Sequence, residues 1–239
     1  MVRKLKLLCI PYAGGSASMF LKWKSYLDPS IELCPLDMPG HGARINEDVC
    51  DSVHNTAVSI YEHYKECFIG DYCLLGHSLG SIVSFELYHL LKKMGKPLPQ
   101  IVFFSGMSVP DAKRYVEVDT SENMTDFMNK LYKKGRIPEE VLNPDFIDFF
   151  EGIIRADYNI VQRYQYESKP TKIMSKAYIF SGHEDSSVNE EIYRWNEFIN
   201  DEPTYIFFDG GHLFINTQYE KMIDQINTII IESREMNGH

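Results

Sequence analysis

Ser78 stands between two glycines in the stretch LLGHSLGSIV, which covers residues 74–83. A serine hydroxyl is a weak nucleophile until a base takes its proton and positioned donors receive the developing charge. The pattern G-x-S-x-G, formed by Gly76, Ser78 and Gly80, follows an apolar run and opens a helical pattern. This context is typical of a nucleophile elbow, a strained turn that exposes the serine, whereas a plain helix cap is the alternative. We therefore predict that Ser78 is the nucleophile of a covalent reaction.

A histidine late in the chain is the base that such a serine requires. His212 follows the apolar run 205–208 and two glycines, which allow a close turn toward the end of the preceding strand. His77 is adjacent to Ser78, and next-neighbour geometry prevents it from acting as the base. The sequence therefore predicts that His212 takes the proton of Ser78.

An acid that follows an earlier strand should hold the imidazole in the required tautomer. Asp185 comes shortly after the apolar run 177–180 and is the first choice, with Glu184 as the alternative. Asp209 lies close to His212 in the sequence, a placement that is more typical of a turn residue. The order along the chain is then nucleophile, acid, base, which is the order found in α/β hydrolases.

Two backbone N–H groups are expected to receive the charge on the substrate oxygen. One belongs to Leu79, the residue after the nucleophile at the start of a predicted helix. We assign the other to Ala13 in the glycine-rich stretch 11–16, with Tyr12 and Gly14 as alternatives. A phosphate-binding loop is disfavoured because the sequence contains neither G-x-x-x-x-G-K-[ST] nor G-x-G-x-x-G. The predicted chemistry is acyl transfer through an acyl-serine, which requires no metal and no cofactor.

Short apolar runs that barely alternate with polar residues predict the strands of a parallel sheet covered on both faces. Helical patterns lie between them, so the chain is predicted to be an α/β protein with a mostly parallel sheet flanked by helices. The predicted strands are 5–10, 31–36, 72–75, 101–104, 177–180 and 204–208, and the predicted helices between them are 16–27, 52–68, 79–94, 189–199 and 217–231.

The segment from about residue 110 to residue 170 interrupts this alternation. It contains helical patterns at 122–132, 138–142 and 146–166, and it contains no convincing strand pattern. We expect this insertion to form a helical lid over one end of the sheet, with a purely structural helical subdomain as the alternative. Because no clear linker occurs elsewhere, residues 1–239 are expected to form a single domain.

Net charge, apolar runs and cysteine number limit the partners and the cellular location that the sequence allows. The 239 residues carry a formal net charge of −10, which disfavours nucleic acid as a partner. No stretch approaches the roughly 18–20 apolar residues of a membrane span, and the apolar run near the N-terminus is too short for a signal peptide. The five cysteines are odd in number and lack metal-binding spacing, so we expect reduced thiols in a cytoplasmic protein.

Six segments of the chain form a recognisable set, namely PYAGGSA (11–17), MPGHGAR (38–44), GHSLG (76–80), GRIPEEVL (135–142), RADY (155–158) and FDGGH (208–212). Together they resemble the type II thioesterases that accompany nonribosomal peptide and polyketide synthetases. The resemblance covers nearly the whole chain, and it implies an α/β-hydrolase fold with a Ser-Asp-His triad. It also implies hydrolysis of acyl groups from the phosphopantetheine thiol of acyl-carrier or peptidyl-carrier domains, usually of chains that stall the synthetase. The chain departs from many relatives at Leu79, where they carry Met, and at Arg136, where they carry Gly.

The resemblance raises a question of charge. Carrier domains of this kind are usually acidic, as this chain is, so a local basic patch is expected to guide docking. Each basic cluster can equally be an ordinary solvated face. The two clusters considered are Lys133, Lys134 and Arg136 in the expected lid, and Lys92, Lys93 and Lys96 after the elbow helix.

Two other functions are compatible with the same motifs. A general carboxylesterase or acyltransferase would use the same three side chains on a different substrate. A binding protein without activity is disfavoured, because Ser78, Asp185 and His212 are all present.

Overall fold

Six parallel strands form one sheet in the computed structural model, which describes residues 4–112, 119–188 and 190–236. The order of the strands across the sheet is β2-β1-β3-β4-β5-β6, and every neighbouring pair is parallel. The predicted α/β class and the six predicted strands are confirmed. The strands are β1 (Leu5–Ile10), β2 (Ile31–Pro35), β3 (Tyr72–His77), β4 (Ile101–Ser105), β5 (Lys176–Gly182) and β6 (Thr204–Phe208).

The strands are connected largely through helices. The α-helices are α1 (Val53–His63), α2 (Leu79–Lys93), α3 (Met124–Lys133), α4 (Pro144–Arg163), α5 (Trp195–Phe198), α6 (Phe214–Thr217) and α7 (Tyr219–Met236). Short 3₁₀ helices cover Ala17–Ser25, Gly42–Arg44, Lys65–Phe68, Glu139–Leu142 and Glu190–Arg194.

Four of the predicted helices differ in kind from the observed ones. The predicted helix 138–142 is a 3₁₀ turn, and the predicted helix 189–199 is a 3₁₀ helix followed by the short α5. The predicted helix 16–27 is a 3₁₀ helix, in which the fully buried Phe20 and Trp23 lie three residues apart. Residues at that spacing stack on the same side of a 3₁₀ helix, so this geometry buries both rings together. The predicted helix 52–68 ends as an α-helix at His63, and a 3₁₀ turn follows.

Alternate residues of β1 contribute to two different hydrophobic cores. Leu5, Leu7 and Cys9 pack on one face of the sheet with residues of α7, whereas Leu8 and Ile10 pack on the other face with residues of α1 and α2. Successive side chains of a strand point to opposite faces, so a strand that is covered on both sides must be apolar throughout. This burial explains why the strands read as continuous apolar runs.

The parallel arrangement determines where chemistry can occur. In a parallel sheet the carboxyl ends of all strands lie at the same edge, and ligands bind in the loops that follow them. The glycine-rich stretch follows β1, Ser78 follows β3, Asp185 follows β5 and His212 follows β6. These four segments therefore meet at one edge of the sheet.

A helical segment separates β4 from β5. In its described part it contains α3, a 3₁₀ turn and α4, and it has a hydrophobic cluster of its own. The buried members of that cluster are Phe127, Met128, Leu131, Ile137 and Ile154. Further along α4, Ile160 packs against the core formed by α1 and α2, so α4 is joined to the main body as well.

The sequence analysis also predicted reduced cysteines and found no stretch long enough to span a membrane. All five cysteines lie in the described ranges and carry free thiols. Among the helices that the described residues form, none has both the length and the apolar character needed to cross a membrane.

Candidate active site

Ser78 lies at the sharp turn between β3 and α2, where its backbone has φ 55° and ψ −116°. A positive φ is costly for a residue with a Cβ atom, and this conformation is typical of a nucleophile elbow. A Cβ atom at Gly80 would lie 2.2 Å from the Ile10 carbonyl oxygen, and one at Gly76 would lie 2.1 Å from the Gly80 oxygen. Both positions therefore require glycine. The Ser78 amide donates a 2.8 Å hydrogen bond to the Ser105 carbonyl, which holds the turn in place.

The side chains of Ser78, His212 and Asp185 form a continuous hydrogen-bonded chain. His212 Nδ1 donates to Asp185 Oδ2 at 2.8 Å, and His212 Nε2 accepts from Ser78 Oγ at 2.9 Å. The carboxylate fixes the proton on Nδ1, which leaves Nε2 free to act as a base. The structure brings together the three side chains that the sequence singled out. Their arrangement can deprotonate Ser78 as it attacks a carbonyl carbon.

Asp185 is buried, and both of its carboxylate oxygens have partners. Its Oδ1 accepts hydrogen bonds from the Ser187 hydroxyl at 2.6 Å and from the Ser187 amide at 3.0 Å, and Arg136 Nη1 lies 3.5 Å from the same oxygen. Burial favours the neutral acid. The bonds from His212 and Ser187 and the charge of Arg136 outweigh it and hold the pKa of Asp185 well below its usual range.

The position of Arg136 corrects one expectation from the sequence. The sequence groups Arg136 with Lys133 and Lys134 in a basic surface patch, but its guanidinium is buried beside Asp185. Lys133 and Lys134 are exposed, as a surface patch requires. The described turn after α3 thus presents two lysines to solvent and one arginine to the site.

His77 supports the base although it does not act as one. Its ring is fully buried, with Nδ1 2.8 Å from the Ser105 hydroxyl and Nε2 2.9 Å from the His212 carbonyl oxygen. Burial and the neighbouring His212 lower the pKa of His77 to about 3, so the ring is neutral. In the tautomer that satisfies both contacts, Nε2 donates to the His212 carbonyl and Nδ1 accepts from Ser105. His77 therefore anchors the backbone of the base.

Of the two predicted oxyanion-hole donors, Leu79 directly follows Ser78, and the loop that carries Ala13 begins at Ile10 and Pro11, whose carbonyl oxygens lie close to Gly80. Leu79 is the first residue of α2, and the amides of a first helical turn have no partner within the helix. Gly14, one of the alternatives to Ala13, donates its amide proton to Asp157 Oδ2 at 2.7 Å. That amide is therefore engaged within the protein, which leaves Ala13 as the first choice and Tyr12 as the alternative.

Asp157 joins three parts of the molecule. It is a buried residue of α4, and its Oδ2 accepts from Gly14 and from His41 Nε2, the latter at 2.9 Å. His41 Nδ1 donates to the Pro39 carbonyl at 2.9 Å. Both ring nitrogens of His41 face acceptors, an arrangement that favours the charged imidazolium form. Burial opposes that charge, but Asp157, the Pro39 carbonyl and the charge of Asp37 outweigh it and raise the pKa of His41.

The two other acids considered as partners of His212 point to solvent instead. Glu184 is exposed, and Asp209 is exposed and pairs with Lys221 at 3.0 Å. Sequence reasoning assigned no role to Ser187. The only sequence signal for His41 and Asp157 was that their segments, MPGHGAR and RADY, resemble those of type II thioesterases.

Comparison with known families agrees with this site. The model of the thioesterase domain family matches residues 5–230, nearly the whole chain. The chain belongs to the thioesterase family. The resemblance to type II thioesterases drawn from the sequence is confirmed, and the protein is a hydrolase that acts on thioesters.

Individual relatives match the thioesterase over most of its length. It is 29% identical over 227 residues to the gramicidin S biosynthesis protein GrsT of Aneurinibacillus migulanus, a match that covers 92% of this chain and 87% of GrsT. It is 25% identical over 232 residues to the probable anguibactin biosynthesis thioesterase AngT of Vibrio anguillarum, covering 95% of this chain and 91% of AngT. Among solved structures, ClbQ from the colibactin NRPS/PKS pathway has 32% identity and a TM-score of 0.92, covering 98% of this chain and 99% of ClbQ.

Proposed function

We propose that this thioesterase is a stand-alone editing enzyme that removes acyl groups from the phosphopantetheine thiol of carrier domains in a peptide or polyketide synthetase. The observation that carries the proposal is the hydrogen-bonded chain from Ser78 through His212 to Asp185 in a member of the thioesterase family. GrsT is a gramicidin S biosynthesis protein and ClbQ comes from the colibactin NRPS/PKS pathway, and both similarities support the choice of substrate.

The first half-reaction acylates the serine. Ser78 Oγ attacks the thioester carbonyl carbon while His212 Nε2 takes the hydroxyl proton, and Asp185 stabilises the resulting imidazolium. The amides of Leu79 and Ala13 donate to the oxygen that becomes negative. When the tetrahedral intermediate collapses, the carbon–sulfur bond breaks and His212 returns its proton to the departing thiol. The acyl group is then an ester on Ser78.

The second half-reaction regenerates the enzyme. His212 takes a proton from a water molecule, which attacks the ester carbonyl and forms a second tetrahedral intermediate. Collapse of that intermediate breaks the bond to Ser78 Oγ, and His212 returns the proton to the serine. The free carboxylic acid leaves, and no metal or cofactor takes part because the substrate itself carries the phosphopantetheine arm.

The helical segment is proposed to act as a lid within a single hydrolase domain. Two contacts support this role, because Arg136 lies beside the triad acid and Asp157 binds the loop after β1. A segment that reaches both the acid and the oxyanion loop covers the same edge of the sheet as Ser78. The phosphopantetheine arm is proposed to enter between this segment and the sheet.

The proposal is tested with a panel of acylated carrier domains, with acyl release followed by mass spectrometry. We expect release by the wild-type protein and none by Ser78→Ala, whose circular dichroism spectrum should match the wild type. The same acyl group presented as a simple oxygen ester distinguishes the alternative function. A higher kcat/KM for the ester than for the carrier-bound thioester would indicate a general carboxylesterase, and turnover by Ser78→Ala would exclude Ser78 as the nucleophile.

A further inference from the structure

The loop after β1 is held by a helix that belongs to a different part of the fold. Gly14 has φ 76°, and a Cβ atom there would lie 2.5 Å from Ile154 Cγ1 on α4. One helical turn further along α4, Asp157 Oδ2 accepts the Gly14 amide proton at 2.7 Å. α4 therefore contacts this glycine both through packing and through a charged hydrogen bond.

The carboxylate that binds Gly14 is itself fixed. The side chains of Asp157 and His41 are only 4% and 3% exposed, and Nε2 and Oδ2 are 2.9 Å apart. His41 is held from its other side by the Pro39 carbonyl, on the loop after β2. A charged, buried and doubly anchored pair of this kind leaves the acceptor oxygen little freedom.

We infer that Asp157 is a positioning residue, which sets the loop carrying the Ala13 amide and so completes the oxyanion hole only while α4 is docked. The inference rests on the proposed function, since it takes Ser78 as the nucleophile and Ala13 as a donor. The Gly14 amide belongs to the peptide group that follows Ala13, so its hydrogen bond fixes the backbone on one side of the donor. Displacement of α4 releases this bond and lets the donor turn away from the substrate oxygen.

This arrangement couples closure of the helical segment to chemistry. With α4 in place, the donor meets the oxygen only as negative charge develops there, so the benefit appears in the transition state rather than in substrate binding. Loss of the positioning contact should therefore lower kcat and kcat/KM together while KM stays nearly constant. A residue that merely stabilised the fold would reduce the amount of active protein, which lowers the rate per total protein but leaves kcat per active site unchanged.

The test compares Asp157→Ala and Asp157→Asn with a matched control, Glu86→Ala. Glu86 is also a buried carboxylate, with a side chain 6% exposed, but its partners are Tyr164 and Lys169 beyond the end of α4. Initial rates are measured on a small acyl thioester, so that carrier docking plays no part, and are normalised to the fraction of serine that an active-site phosphonate labels. We expect Asp157→Ala to lose roughly 10- to 100-fold in kcat at nearly constant KM.

The two other variants decide between positioning and simple destabilisation. Asp157→Asn keeps an oxygen for the Gly14 amide and should retain more activity than Asp157→Ala, whereas Glu86→Ala should keep the wild-type kcat. Equal losses of kcat in Asp157→Ala and Glu86→Ala would overturn the inference, as would a rise in KM at constant kcat.

A binding measurement covers the case in which Asp157→Ala turns over too slowly to analyse or folds poorly. An alkyl trifluoromethyl ketone adds reversibly to the serine hydroxyl and places an oxyanion in the same hole. We expect Asp157→Asn to bind it more weakly than the wild type by the factor lost in kcat/KM. Unchanged affinity in Asp157→Asn together with lower kcat would also overturn the inference. A wild-type protein that does not hydrolyse the thioester would instead refute the proposed function.

Discussion

Arg136 Nη1 lies 3.5 Å from Asp185 Oδ1 and donates a 2.7 Å hydrogen bond to the Ser187 hydroxyl that holds the same oxygen. The side chains of Arg136 and Asp185 are 6% and 0% exposed. A cation from the helical segment therefore shares the Asp185 carboxylate with the imidazole of His212.

Replacement of Arg136 should destabilise the protein. In Arg136→Gln the buried carboxylate of Asp185 loses a cationic neighbour, and we expect the free energy of unfolding to fall by about 2 kcal/mol at neutral pH. Urea denaturation followed by circular dichroism measures the change. Arg194→Gln is the control, because Arg194 forms its ion pairs at the surface and should contribute less than about 1 kcal/mol. Equal effects of the two substitutions would contradict the interpretation.

Replacement of Asp185, which contacts His212, should reduce turnover far more than replacement of Asp209, which lies only close to it in the sequence. Asp185→Asn keeps the shape of the acid but removes the charge that fixes the imidazole proton, so we expect kcat to drop roughly 10³- to 10⁴-fold. Asp209→Asn removes only an exposed pair with Lys221 and should remain within about twofold of the wild type. Steady-state rates on a small thioester provide the comparison. A large loss of kcat in Asp209→Asn would show that Asp209, after β6, rather than Asp185, after β5, is the acid that orients His212.

The pair of His41 and Asp157 should make stability depend on pH. The charged groups that face His41 are Asp157 on α4 and Asp37 on the loop after β2, and they raise its pKa in the folded state despite burial. A raised pKa stabilises the fold fully below the ordinary value of about 6.5, and this contribution is lost as the pH rises through the folded-state value. The difference in unfolding free energy between the wild type and His41→Gln should therefore be largest below that ordinary value, at about 2 kcal/mol, and shrink in alkaline buffer. A difference that grew with pH would rule out the imidazolium.

Charge reversal should reveal which face meets the carrier domain. Lys133 and Lys134 are exposed on the helical segment, next to the residue that reaches Asp185. We expect Lys133→Glu with Lys134→Glu to raise KM for a carrier-bound thioester roughly 5- to 10-fold and to leave KM for a small thioester unchanged. The control is the same double reversal at Lys92 and Lys93, which lie at the far end of α2, about 20 Å from its start. If only the control raised KM for the carrier-bound thioester, the carrier domain would dock at the far end of α2 instead.

The strands, the elbow and the order of the site residues could be predicted because each depends on a local sequence pattern. The strands were predictable because burial on both faces demands apolar runs, and the elbow was predictable because its glycines are required by close backbone contacts. The order of Ser78, Asp185 and His212 then followed from the order of strand ends. The buried spacing of Phe20 and Trp23 suits both an α-helix and a 3₁₀ helix, so the sequence pattern did not separate them.

The second set of site residues could not be predicted for a different reason. Arg136 and Asp157 act through contacts with residues 49 and 143 positions away, respectively, and neither belongs to a spacing that chemistry imposes. Such contacts depend on how the helical segment docks, which involves long-range packing of Ile160 against the core of α1 and α2 and of Ile154 against Gly14 rather than a local pattern.

The backbone of Ser78 implies a conflict between durability and activity. A φ of 55° strains any residue with a Cβ atom, and Ser78→Ala keeps that strain while Ser78→Gly relieves it. Both variants lack the hydroxyl, so Ser78→Gly should melt at a temperature higher than Ser78→Ala by about 2–4 °C in differential scanning calorimetry. Within the described ranges, Ser78 is the only non-glycine residue with a positive φ, so relief of this strain would raise stability at the cost of the serine hydroxyl. A more heat-resistant form that keeps the hydroxyl must therefore gain its stability at other positions.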